Sequence, residues 1–149
     1  MGQALAGRTG GKPVPAGKIH LTLAFLGDVD EARLEPAKLA AAALRESGFE
    51  MVLDQAGSFR GARVAWAGCA VVPAGLARLQ ASLAGALAAQ GFVLEDRPFA
   101  AHVTLVRKVA RPLAPEAAAP IRWRARELSL VRSELGTGRY RPEGAWDLL

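Results

Sequence analysis

The chain has 149 residues and only two histidines, His20 and His102. Each is followed two positions later by a threonine, Thr22 in "KIHLTLAFLGDV" and Thr104 in "FAAHVTLVRKVA". With four threonines in the whole chain, one falls at that offset after a given histidine by chance about 3% of the time, and after both roughly once in a thousand. In an extended strand, residues i and i+2 share a face and lie about 6–7 Å apart. His20 and Thr22 are therefore expected to look out together, as are His102 and Thr104, while the leucines and valine between them turn inward. Two such strands side by side enclose a small space with two imidazoles and two hydroxyls, and neither motif contains a carboxylate.

That set of groups suits phosphoryl chemistry on a diester without a metal. In-line displacement at phosphorus needs a base for the attacking oxygen and an acid for the leaving one. Imidazole serves as either near neutral pH, its unperturbed pKa being about 6.5. Threonine hydroxyls can donate to the non-bridging oxygens, where charge accumulates. Two histidines with Cys69 or a carboxylate could in principle hold zinc, but no clustered ligand spacing supports such a site. There is no Walker loop, dinucleotide glycine fingerprint or Gly-x-Ser-x-Gly elbow, so neither a metal nor a cofactor is expected.

The elements that must position these groups are read as follows. Residues 1–17 hold five Gly and two Pro without apolar periodicity, and read as a flexible lead-in. "KIHLTLAFLG" alternates as a strand, with Ile19, Leu21, Leu23 and Phe25 on one side. "DEARLEPAKLAAAALRES" follows at helical spacing, with Pro36 tolerable only in its first turn. "FEMVLDQAG" and "GARVAWAGCAVV" read as an antiparallel pair joined through "GSFRG". In "AGLARLQASLAGALAAQG", Leu76, Leu79, Leu83 and Leu87 make one helical stripe, with Gly91 as the stop. The second histidine strand, "AAHVTLVRKV", is followed by a Pro-rich loop, "ARPLAPEAAAP". Two closing strands, "IRWRARELSLVRSEL" and "GRYRPEGAWDLL", complete an α+β order in which the histidine strand recurs.

Composition sets the frame. Half the residues are hydrophobic and 22% are charged, as in ordinary globular proteins. No apolar run is long enough to span a bilayer, and residues 1–18 carry no signal-type stretch. The single cysteine, Cys69, excludes an internal disulfide and suits a reducing cytoplasm; it reads as a small core residue. The expectation is a cytoplasmic monomer without a membrane or obligate protein partner. The net charge of +5 favours anionic partners. Arginines thicken towards the C-terminus, either as solvated strand faces or as a surface that tracks phosphates.

Two H-x-T-x motifs some eighty residues apart, as "HLTLAFLG" and "HVTLVRK", resemble the two-histidine phosphoesterases. The likeness is strongest to the bacterial RNA 2′,3′-cyclic phosphodiesterase, or 2′-5′ RNA ligase, family. "RVAWAG", "EDRPFAAHVTL", "IRWRARELSLVRSELGTG" and the closing "GRY…AWDLL" are similar to that family's segments in the family's order, from about residue 12 to the end. The resemblance implies an α+β bilobal fold over residues 18–149, with pseudo-two-fold symmetry, two antiparallel sheets, outer helices and a central cleft. It implies hydrolysis of 2′,3′-cyclic phosphates on RNA ends or nucleotides to 2′-phosphates, and reversal as 2′-5′ ligation. His20 would be the proton donor to the departing 3′-oxygen, His102 the proton acceptor from water, and Thr22 and Thr104 the phosphate-binding pair. Arg107, Arg132 and Phe25 are further candidates for substrate binding, and Arg139 a lesser one. Arg107, three positions after Thr104, reaches the same face only if a bulge or the strand's end turns it. Phe25 could stack a base, or pack in the core as its strand position suggests.

Three departures from the family stand out: no strand and helix are legible before the first motif, Ala24 replaces a frequent basic residue, and Ala101 a frequent proline. The first leaves a second reading open, a non-catalytic RNA- or nucleotide-binding module on the same fold.

Overall fold

The structure, a computed structural model, describes residues 1–149. The chain forms two compact units, each assembled from three separate segments. The first comprises Met1–Thr22, Met51–Val72 and Phe99–Trp123; the second comprises Leu23–Glu50, Pro73–Pro98 and Arg124–Leu149. The architecture is α+β with two sheets and three α-helices, and no helix is long and apolar enough to cross a membrane.

The first unit begins where the sequence reads as a lead-in, and here the expectation is corrected. Gly2–Thr9 is a helix, α1, whose Leu5, Ala6 and Thr9 are buried. Its amphipathic stripe is only three residues deep, too short for periodicity to stand out among the small residues around it. The glycines that looked like flexibility have defined conformational roles instead. Gly10 ends α1 in the left-handed region (φ 70°) and donates its N–H to the Ala6 carbonyl at 2.8 Å. A Cβ on Gly11 would lie 2.5 Å from Val106 Cγ1 and 2.6 Å from the Arg107 carbonyl oxygen, so only glycine lets the chain press this close. Other carbonyls of α1 are capped by a side chain: Arg111 donates to Gly7 and Arg8, both at 3.0 Å.

Beyond Gly11, Lys12–Pro13 forms the short strand β1. Residues Phe49–Phe59 (β2) and Val64–Gly68 (β3) form the expected antiparallel hairpin, Gln55 pairing with Gly68 and Phe59 with Val64. Val103–Arg107 is β4, the strand of the second motif, and Glu116–Ala125 is β5. The five strands run in the order β1-β4-β3-β2-β5. The interior of this sheet is nearly solvent-free: Ala65, Ala67, Val103 and Val106 are at most 1% exposed. The stretch read as a Pro-rich loop is only partly one, since β5 starts at Glu116. Pro120 lies within β5 all the same, although proline supplies no N–H to a ladder.

In the second unit, Glu31–Ala42 is helix α2, and Ala74–Ala89 is helix α3. Asp30 caps α2, its carboxylate accepting from the Arg33 N–H at 3.1 Å. Pro36 stands in the second turn rather than the first, one turn later than expected. The four leucines of the α3 stripe are all buried, as their spacing requires, and Gly91 takes a positive φ of 84° just past the end. The closing segment divides at Arg126: Glu127–Ser133 (β6) pairs antiparallel with Tyr140–Asp147 (β7) as a separate two-stranded sheet. Ala37, Ala40, Ala41, Leu83, Leu87, Phe92 and Leu128 form this unit's core.

Candidate active site

The first motif does not form a regular strand. Only Leu21 pairs, in a single antiparallel bridge to Val103. Pro13 and Pro15 remove two donors ahead of it, a 3₁₀ turn at Ala16–Lys18 interrupts the extended run, and the chain leaves the first unit after Thr22. The expected burial fails at the ends of this segment, where Ile19 is 42% and Phe25 69% exposed.

One bridge is nonetheless sufficient to assemble the four groups. Antiparallel pairing sets residue i+1 opposite j−1, so the Leu21–Val103 bridge stands Thr22 across from His102 and His20 across from Thr104. All four share the face opposite to Leu21 and Val103. The centre of an antiparallel bridge is a local two-fold axis. Here it exchanges His20 with His102 and Thr22 with Thr104, putting the imidazoles at two opposite corners and the hydroxyls at the other two. Backbone separations across such a diagonal are about 7–8 Å, a span over which two side chains reach a single phosphate.

The same symmetry holds at the level of atoms. His20 Nδ1 lies 2.7 Å from the Lys18 carbonyl oxygen, and His102 Nδ1 lies 2.7 Å from that of Ala100. A carbonyl only accepts, so Nδ1 carries the proton in both rings and donates it to that carbonyl. Neutral, Nε2 offers a lone pair; charged, it offers a proton. Because the Nδ1–H bond survives in either state, each ring keeps its aim whether neutral or charged.

Arg107 reaches this face by the device the sequence required. Between the pairs Ala65–Val106 and Trp66–Thr104, β4 carries one residue more than β3, and Leu105 is the extra one. The bulge resets the alternation: Val106 turns inward (0% exposed) and Arg107 emerges on the side of Thr104. Phe59, paired with Val64, stands on the same face; its ring meets His102 edge-to-face with centroids 5.0 Å apart and Trp66 at 5.5 Å. Sequence reading missed Phe59 because it sits in the "GSFRG" connection. It also missed the two carbonyl contacts, which no side-chain type announces.

The other candidates fare differently. Phe25 belongs to the second unit and is exposed, so it is not the core residue its strand position suggested. Arg132 also lies there, with its guanidinium already matched by Glu31 and Glu143 at 2.8 Å each. The hydrogen bond from Arg132 holds the Glu31 carboxyl below its ordinary value. Arg132 is thus engaged in ion pairs within its own unit. Cys69 is half-buried, and burial, with the Asp54 charge second, pushes its thiol up, away from the reactive thiolate. No group of three or more His, Cys, Asp and Glu side chains gathers as a metal cradle.

An antiparallel α+β scaffold presenting two H-x-T motifs about a local dyad defines the class of two-histidine phosphoesterases. The sequence comparisons agree. The 2′-5′ RNA ligase superfamily model matches residues 3–137. The RNA 2′,3′-cyclic phosphodiesterase of Escherichia coli K12 is 36% identical over 141 residues, covering 93% of this chain and 80% of that one. The RNA 2′,3′-cyclic phosphodiesterase of Geobacillus stearothermophilus is 34% identical over 143 residues, 87% of this chain but 45% of that longer protein. The crystal structure of E. coli LigT complexed with 3′-AMP superposes with a TM-score of 0.85 at 32% identity, covering 98% of this chain and 88% of that one. The chain belongs to the 2′-5′ RNA ligase superfamily.

Proposed function

We propose that this protein is an RNA 2′,3′-cyclic phosphodiesterase that opens the cyclic phosphate at an RNA end, or on a nucleotide, to a 2′-phosphate. The observation that carries the reading is the dyad-related pair of imidazoles, each with its Nδ1 2.7 Å from the carbonyl oxygen two residues earlier. Relatives named for that activity support it, as does a relative crystallised with 3′-AMP.

The chemistry follows from the corners of the site. With the cyclic phosphate over the dyad, His102 Nε2 takes a proton from water as the water oxygen bonds to phosphorus. The P–O3′ bond breaks on the far side, and His20 Nε2–H gives its proton to the departing 3′-oxygen. Thr22 and Thr104 donate to the two non-bridging oxygens, where negative charge grows. The products are a 2′-phosphate and a 3′-hydroxyl. The enzyme is left with His20 neutral and His102 charged, and proton exchange with solvent resets it. With a 5′-hydroxyl in place of the attacking water, the same corners support 2′-5′ joining, O5′ bonding to phosphorus as the P–O3′ bond breaks. Since one unit of one chain supplies all four groups, we read the enzyme as a working monomer, and the lone unoxidised Cys69 fits a cytoplasmic setting.

The test is incubation with adenosine 2′,3′-cyclic phosphate and with a cyclic-phosphate oligonucleotide in EDTA, with the product phosphate located by NMR. Turnover to the 2′-phosphate that persists in EDTA and vanishes in His20→Ala and His102→Ala is expected. Binding without turnover would mean a non-catalytic RNA-binding module, and a 3′-phosphate product would reverse the assignment of the leaving oxygen.

A further inference from the structure

Thr104, Trp66 and Gly57 form one transverse row across β4, β3 and β2. Residues paired across a sheet point to the same side, so the indole of Trp66 lies on the face of the two H-x-T motifs. Gly68 and Phe59, each two positions further along its strand, share that face. Both glycines are buried. A Cβ on Gly57 would lie 2.6 Å from Trp66 Cζ2, and one on Gly68 would lie 3.2 Å from Cζ3. The indole therefore lies down against the backbone, in space that a side chain at either position would take. Its one polar atom, Nε1, is buried without a hydrogen-bond partner, so packing alone holds the ring there.

Phe59 links this floor to a histidine. Its ring lies 5.5 Å from that of Trp66 at a tilt of 34°, and meets the His102 imidazole at 5.0 Å and 87°. His102 is thus fixed at two points, through Nδ1 by the Ala100 carbonyl at 2.7 Å and through its ring by Phe59. One hydrogen bond leaves an imidazole free to swing about it, and a perpendicular ring contact takes that freedom away. The two histidines match in their carbonyl contacts but differ in setting, His102 being half-buried and His20 exposed. All of these groups belong to the first unit.

Building on the proposed cyclic phosphodiesterase reading, we infer that Phe59, seated on Trp66, is a positioning residue for His102. It holds the imidazole in the orientation that the Nδ1 bond to Ala100 defines. A general base works only within hydrogen-bond reach of the proton it takes, so a ring that swings spends less of its time competent. Phe59 itself touches no reacting atom and moves no proton. Its contact sets the base apart from the acid in a site whose backbone treats them alike.

Nitrogen-15 NMR of the imidazoles, recorded on the full chain without substrate at about pH 8.5, above the ordinary imidazole range, reads the tautomer of each histidine and needs no turnover. Phe59 is 36% exposed, so Phe59→Leu and Phe59→Tyr fall at a tolerant position. Both rings of wild type should carry the proton on Nδ1. In Phe59→Leu a second population with the proton on Nε2 should appear at His102 and not at His20, and Phe59→Tyr should restore the wild-type pattern. For adenosine 2′,3′-cyclic phosphate, kcat should fall roughly three- to tenfold in Phe59→Leu, the scale of an aromatic pair, with KM within about twofold and recovery in Phe59→Tyr. An unchanged His102 tautomer, or an equal change at both histidines, overturns the positioning role. So does a raised KM with kcat unchanged, which would make Phe59 a contact for the nucleobase instead. Failure of the catalytic reading would show as absent turnover in wild type, with the tautomer contrast still present.

Discussion

The two compact units use charge in opposite ways. The first holds nine basic and two acidic side chains, net +7, and the second holds ten basic and twelve acidic, net −2. The chain's +5 is thus the sum of a strongly cationic unit and a slightly anionic one, interleaved in sequence. In the second unit, cations meet carboxylates: Arg132 bonds Glu31 and Glu143, Lys38 bonds Glu35 at 3.2 Å, and Arg78 approaches Glu46 at 3.9 Å. In the first unit, Lys12, Arg60, Arg107 and Lys108 have no such partners. Positive charge is therefore largely matched within the second unit and largely unmatched in the first. Unbalanced positive charge repels itself, so the first unit carries a self-repulsion that the second is largely spared. Both histidines also fall in the first unit.

The division of roles between the units is most open to test at the histidines. His20→Ala and His102→Ala are each expected to lower kcat by about 10²- to 10⁴-fold with little change in thermal stability, because each removes one proton-transfer role from an exposed or half-exposed site. Arg132→Ala is expected to do the reverse, costing stability while leaving kcat within a few-fold. Steady-state kinetics and a melting curve on the same three variants check both halves; an activity loss in Arg132→Ala matching that of the histidine variants would erase the distinction.

Next in size is Gly11→Ala. The added methyl must displace Val106, which is fully buried, or the Arg107 backbone, and overpacking of this kind costs roughly 1–3 kcal/mol. Denaturant unfolding should show that loss, whereas Gly85→Ala, with nothing near its Cβ and a helical setting in α3, should be neutral or slightly stabilising.

Smallest is an acid effect on the exposed pairs. Glu31 and Glu116 each titrate below the ordinary glutamate value of 4.5, chiefly through hydrogen bonds to Arg132 and Arg8 respectively. A folded-state value below the unfolded one stabilises the fold above about pH 4.5, and the contribution is lost as pH falls through the lowered value. The stability gap between wild type and Glu31→Gln should therefore be present at neutral pH and close in acid; a gap that widens on acidification would contradict the sign.

Much of this was legible in the residues. The α3 stripe, the β2–β3 hairpin and the pairing of histidine with threonine all follow from periodicity, which side-chain types report directly. Arg107 was legible as a condition, namely that a bulge must intervene, and Leu105 supplies it. What stayed hidden depended on the backbone or on distant partners. Gly10 and Gly11 look like flexibility in the lead-in until a positive φ and a close contact show what they fit. The first histidine segment resembles a full strand because alternation does not reveal how many residues find a partner on β4. The ion pairs of Arg132 were not legible because the carboxylates that match it lie far away in sequence, at Glu31, or across the hairpin, at Glu143.

If two imidazoles related by one antiparallel bridge act as acid and base on a single phosphorus atom, their titrations must both appear in the rate. The decisive measurement is the pH dependence of kcat/KM for a 2′,3′-cyclic phosphate substrate between pH 5 and 9. A bell is expected, since one ring must be charged while the other is neutral, and its two limbs belong to the pair rather than to either histidine alone. A flat profile, or one that rises or falls monotonically across the whole range, would rule out paired acid–base catalysis by His20 and His102.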